Sequence, residues 1–114
     1  VSPGRWQERL QDILDAVAEI RTFLVGSTRD RFLGDAKTLK AVAADLTIIG
    51  EAAAHVPAAV IQAHPEIPWS LMTGMRHRIV HGYYQIDPVI VWDTCQNDLG
   101  PLIQPLESLL KQNP

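Results

Sequence analysis

"DAKTLKAVAADLTIIGEAAAHV", residues 35 to 56, sets the fold of this chain. Leu39, Val42, Leu46, Ile49, Ala53 and Val56 recur at alternating steps of three and four residues. That is the period of a helix with one buried stripe, and no strand could keep these side chains on one face. Asp35 stands where a carboxylate can accept from the first free N–H groups and cap the helix. Gly50 lies inside the pattern, although glycine costs about 1 kcal/mol relative to alanine in a helix. The reading preferred for it is the close approach of another helix.

The flanking segments repeat the helical pattern. Ser2 and Pro3 form a cap-then-proline start, and Trp6, Leu10, Ile13, Leu14, Val17, Ile20 and Leu24 follow at helical spacing until Gly26. "STRDRFLGD" joins the two helices with room for one helical turn. "VPAAVIQAHPEIPW" reads as a short helical piece and a turn, after which Pro68 opens a third long helix with Leu71, Met72, Met75 and Ile79 inward and Gly82 to end or bend it. Asp87 and Pro88 start a last helix along Val91, Cys95, Leu99, Leu102, Leu106 and Leu109, which Gly100-Pro101 should kink or break. With no alternating strand pattern and no repeat, the expectation is a single all-α domain over residues 1–114, an antiparallel bundle of four main helices with short extra helical pieces.

Composition narrows the function. The chain has 114 residues, is 46% hydrophobic and has a formal net charge of -3, which suits a small globular domain and argues against a protein that coats nucleic acid through many lysines and arginines. No apolar run approaches the roughly 18 residues of a membrane span, and no signal-peptide pattern opens the sequence, so the expected location is the cytoplasm and no membrane partner is expected. Cys95, the single cysteine, falls in an apolar helical pattern and reads as a buried reduced thiol.

The chemistry concentrates in "GMRHRIVHGYYQID", residues 74 to 87. Between Ala41 and Leu110 there are seven acids and only two full cations, Arg76 and Arg78, both in this stretch. A lone basic spot in an acidic half suggests a small anion site. Arg76 and His81 are five residues apart, about 140° around a straight helix and about 7.5 Å along it, so they share no face; His77 and Arg78 would each share one with His81. If Arg76 and His81 cooperate, the helix loosens, the arginine reaches back, or two copies of the chain combine.

Such groups can cleave RNA without a metal. The RNA supplies its own nucleophile, the 2'-hydroxyl; histidine can act as base or acid near neutral pH, and the planar donors of arginine suit a phosphate. One Arg–His pair is half such a site, and two copies across a two-fold axis complete it. Tyr83 and Tyr84 could stack on bases or bond a phosphate. On chemistry alone the alternative stands slightly ahead: an arginine and a histidine near a helix end that pair with carboxylates or terminal carbonyls, beside tyrosines covering a core edge. A zinc pair of His77 and His81 lacks the HExxH glutamate and would have Arg78 as a neighbour, so no metal is expected. His55 and His64 read as surface or cap residues. Glu51 could orient a histidine or an arginine, but the preferred reading is an ordinary surface acid.

Arg76, four residues, His81, Gly82 and Tyr83 resemble the RX4HXY motif of the HepT-like toxins, members of the HEPN superfamily of α-helical ribonucleases. "IIGEAA" (48–53), "HPEIPW" (64–69), "GMRHRIVHGYYQID" (74–87) and "VWDTCQNDLGPL" (91–102) resemble family blocks in the same order, over nearly the whole chain. The resemblance implies a homodimer whose two motifs line one cleft and a metal-independent endoribonuclease toxin that needs no cofactor. It makes Arg76 and His81 catalytic, with His77 and Arg78 as auxiliary candidates. It also makes Tyr83 the place where a cognate MNT-type nucleotidyltransferase antitoxin attaches AMP. The rival reading is a non-catalytic binding subunit of that nucleotidyltransferase. The family usually has a small polar residue, often asparagine, after the motif arginine; here His77 stands there.

Overall fold

The computed structural model describes residues 5–81 and 85–114, with Val80 and His81 described by their backbone. The elements are α1 (Trp6–Leu24), α2 (Arg29–Leu33), α3 (Ala36–Ala54), α4 (Ala58–Ala63), α5 (Trp69–Arg78), β1 (Val80–His81), β2 (Gln85–Ile86), α6 (Pro88–Asn97) and α7 (Gly100–Gln112). The Ser2-Pro3 cap and the helix-ending role of Gly82 lie outside the described residues.

The all-α reading holds for the body of the domain. α1 and α3 bury the expected stripes against each other: Leu10, Ile13, Val17 and Ile20 from one side, Val42, Leu46 and Ile49 from the other. Each such side chain contributes about 1.5–3 kcal/mol on leaving water. α5 closes the layer with Met72, Met75 and the following Ile79, and α7 adds Leu102, Leu106 and Leu109. From the connector, Thr28 caps α2, and Phe32 is buried with its ring 5.3 Å from that of Trp92 on α6.

The punctuation acts as its chemistry dictates. Gly26 takes φ 72° just past the end of α1, a conformation that a side chain would strain. Asp35 caps α3, accepting from the Thr38 N–H at 3.1 Å and from the Thr38 hydroxyl at 2.6 Å, and these donors hold its carboxyl below the usual carboxylate range. Asp87 caps α6 through the N–H groups of Val89 and Ile90. Gly100-Pro101 does break the last helix, giving α6 and α7.

One element escaped the sequence. β1 and β2 form an antiparallel ladder with Val80 opposite Ile86 and His81 opposite Gln85. Two residues on each side are too few to show an alternating pattern. The ladder is anchored where the Asp87 N–H donates to the Ile79 carbonyl at 2.9 Å.

Candidate active site

The site begins at Gly50. A Cβ at this position would lie 3.3 Å from the Met72 carbonyl oxygen and 3.5 Å from both the Arg76 nitrogen and the Thr73 carbonyl oxygen. Its absence lets the backbones of α3 and α5 approach, which is the close packing expected of it. The next residue, Glu51, thereby reaches α5, and Arg76 Nη1 donates to Glu51 Oε1. Arg76 Nε also donates to His77 Nε2 at 3.3 Å, so in this arrangement the proton of the neutral His77 ring belongs on Nδ1.

Glu51 therefore corrects the reading of it as an ordinary surface acid. The Arg76 and Glu51 side chains are 38% and 49% exposed, so solvent screens the pair and its effect on stability is small. Its consequence is positional: the guanidinium is held by two neighbours while still open to a solute. His55 stands at the tail of α3, with Nδ1 donating to the Glu51 carbonyl at 2.8 Å. Glu51 and His55 line a groove of about 210 Å³ with Arg9, Asp12, Thr47, Ile48 and Ala52. His64 contacts Glu66 at 3.2 Å, and its carbonyl accepts from the Trp69 indole, so both histidines serve at helix ends as expected.

Arg78 is engaged elsewhere. Its Nη2 donates to Asp98 Oδ2 at 3.1 Å and to Thr94 Oγ1 at 3.3 Å, which ties α5 to α6. Two positions along a helix turn a side chain by about 200°, and Arg78 accordingly faces away from Arg76.

α5 ends at Arg78, so His81 sits on β1 and not on the helix. Helical spacing then relates neither Arg76 nor His77 to His81, and the shared face assumed for a zinc pair of His77 and His81 does not exist. The His81 side chain, Tyr83 and Tyr84 lie outside the described residues. Cys95 is half-buried, and burial, with Asp98 nearby, pushes its thiol up to about 12, which suits an inert reduced thiol.

These features define a small helical domain with a solvent-accessible arginine held at the end of one helix, just ahead of a histidine on a short ladder. The Ribonuclease HepT-like family model matches residues 13–109. The chain is 37% identical over 105 residues to "Probable ribonuclease HepT" of Thermococcus cleftensis, covering 92% of this chain and 96% of that protein. It is 37% identical over 102 residues to "Putative RNase MJ0127" of Methanocaldococcus jannaschii, covering 90% and 84%. It is 26% identical to "Putative RNase TTE0752" of Caldanaerobacter subterraneus subsp. tengcongensis, covering 90% and 92%. No solved structure gives a significant match. The chain belongs to the HepT-like ribonuclease family. Among the described residues, no helix is long and apolar enough to cross a membrane.

Proposed function

We propose that this protein is a metal-independent endoribonuclease toxin of a toxin–antitoxin pair, acting in the cytoplasm as a homodimer. The observation that carries the reading is the Glu51–Arg76–His77 arrangement, which holds a guanidinium open to solvent five residues before His81. In the proposed cleft, His81 of one protomer removes the 2'-hydroxyl proton of the RNA. The freed oxygen attacks the adjacent phosphorus, and the bond to the 5'-oxygen breaks as the second His81 protonates it. Arg76 from each protomer binds the phosphate oxygens, whose charge grows in the phosphorane. The products are a 2',3'-cyclic phosphate and a 5'-hydroxyl, with no metal required. Glu51 acts as a positioning residue through Arg76, and His77 as an auxiliary hydrogen-bonding partner of the same arginine.

Control follows from the same charge logic. AMP attached to Tyr83 by a cognate MNT-type nucleotidyltransferase would place a phosphate and a nucleoside two residues after His81, where RNA phosphate has to bind, and would repel it. The test is to purify the chain alone and after co-expression with a nucleotidyltransferase encoded beside it, and to compare mass and RNA cleavage in EDTA. The expected result is cleavage by the unmodified chain and its loss as AMP-sized mass increments appear on Tyr83. A chain that binds the nucleotidyltransferase but cleaves no RNA in either form is instead a non-catalytic binding subunit.

A further inference from the structure

Cation placement divides the molecule. Residues 21–40, covering the end of α1, the connector with α2 and the start of α3, hold five of the ten lysines and arginines but two of the thirteen acids, so this stretch carries +3 while the rest of the chain carries -6. Arg21, Arg29, Arg31, Lys37 and Lys40 are all exposed. Among the described residues none of them pairs with a carboxylate, whereas Arg9, Arg76 and Arg78 are each held by one. Of the two acids, Asp35 is occupied as the cap of α3. The next acids along α1 and α3 are Glu19 and Asp45, and Asp45 is only 3% exposed. Phe23 and Val25, 40% and 81% exposed, lie in the same stretch as these cations.

These residues meet at one end of the bundle. Arg9 and Asp12 of α1 share a groove with Glu51 and His55 of α3, and Asp15 and Glu19 share another with Asp45. The two helices therefore run antiparallel, and the end of α1 lies beside the start of α3. The Glu51–Arg76 pair belongs to the other end of α3. At about 1.5 Å per residue, Lys40 and Lys37 stand about 17 Å and about 21 Å along the helix from Glu51.

We propose that this basic end is an exosite for the RNA substrate, gripping its phosphates about 20 Å from the bond that is cut. The inference rests on the ribonuclease reading above. The rest of the chain, at -6, repels a polyanion, and Arg78 is engaged with Asp98; the five unpaired cations supply the attraction that brings RNA to Arg76. A strand with about 3.4 Å between phosphates spans the distance in about six nucleotides, so the preferred substrate is an RNA at least that long. The exposed ring of Phe23 offers a surface on which a base of any sequence can stack. An acidic protein would meet the same cations but has no base to place on Phe23.

The test measures binding of a 20-nucleotide 2'-O-methyl RNA, which lacks the nucleophile and stays uncut, to the whole chain by fluorescence anisotropy across a salt series. Arg29→Gln with Arg31→Gln on α2, and Lys37→Gln with Lys40→Gln on α3, should each weaken binding about tenfold at 0.1 M salt and lower the salt slope by about 1.4. Phe23→Ala should weaken it about fivefold. Arg5→Gln with Lys111→Gln removes the same charge outside this end and should change affinity less than about twofold. Equal losses in all three charge pairs would overturn the exosite, as would RNA binding that neither the α2 nor the α3 pair weakens. Competition by poly-glutamate as strong as that by RNA, with no effect of Phe23→Ala, would overturn RNA in favour of an acidic protein. Cleavage of unmodified RNA in EDTA separates this inference from the reading beneath it. The α2 and α3 pairs should lower kcat/KM for the 20-nucleotide RNA about tenfold more than for a dinucleotide. A wild type that binds with the expected variant pattern but cuts nothing refutes the ribonuclease and leaves the RNA surface standing, whereas cleavage with equal losses on both substrates refutes the exosite alone.

Discussion

Gly50→Ala and Gly74→Ala should shift stability in opposite directions, although both add one methyl group to a helix. In an open helix, alanine in place of glycine gains about 1 kcal/mol. Gly74, within α5, has nothing within 4 Å of an added Cβ, so Gly74→Ala should show nearly that full gain. At Gly50 the methyl would meet the Met72 carbonyl oxygen at 3.3 Å, with Arg76 and Thr73 backbone atoms at 3.5 Å. These are backbone atoms of a packed helix, and they yield only if α5 moves. Overpacking of this kind costs about 1–3 kcal/mol, which outweighs the propensity gain and leaves a net loss of about 1 kcal/mol. The two variants should then differ by about 2 kcal/mol, or about 8 °C in Tm for a domain of this size. Urea unfolding at fixed protein concentration, checked by thermal melts, measures the difference. If Gly50→Ala is as stabilising as Gly74→Ala, the close contact of α3 and α5 is not what Gly50 provides.

Other outcomes follow from the same contacts. Glu51→Gln should leave the fold intact, to within about 1 kcal/mol for an exposed pair, yet lower RNA cleavage and shift its pH profile because Arg76 loses its charged partner; unchanged cleavage would remove Glu51 from the site. Arg78→Ala should loosen α5 from α6 by up to about 1 kcal/mol while leaving cleavage close to wild type, as measured by urea unfolding and a cleavage assay side by side. Cys95 should react with a thiol reagent at pH 8 far more slowly than a free cysteine, because a thiol near 12 is ionised in only about one molecule in ten thousand. The Asp45 carboxyl is raised from 3.8 to about 7 in the folded chain, so the native state binds the extra proton and stability falls as the pH rises between those values. Asp45→Asn should therefore be the more stable protein at pH 8, with its advantage shrinking as the pH falls toward 4 in pH-dependent melts.

The bundle was legible because its signals are long and repeated. The stripe from Leu39 to Val56 spans five helical steps, and Asp35, Gly26, Asp87 and Gly100-Pro101 each mark a boundary by their own backbone chemistry. The β1–β2 ladder was not legible, since Val80-His81 and Gln85-Ile86 give only two residues on each side and the Asp87–Ile79 bond that anchors them has no periodic signature. That miss mattered for the site, because placing His81 on a helix gave it false neighbours in His77 and Arg78. Arg76 stood out through charge placement and the motif. Glu51 did not, because its partner is 25 residues away and the contact depends on a missing side chain at Gly50. The neighbouring glycine within "IIGEAA" was the available clue, since a close helix approach places the next residue against the other helix. Asp45 gave no sequence signal: one acid on a helix looks like any other until its burial is seen.

The most direct test of the proposed chemistry is RNA cleavage in EDTA by the purified unmodified chain and by its His81→Ala variant, with fold and dimer verified for both. Wild type should cut RNA and leave 2',3'-cyclic phosphate ends, and the folded variant should not cut. A folded His81→Ala protein that cleaves as fast as wild type would contradict the assignment of Arg76 and His81 as the catalytic pair.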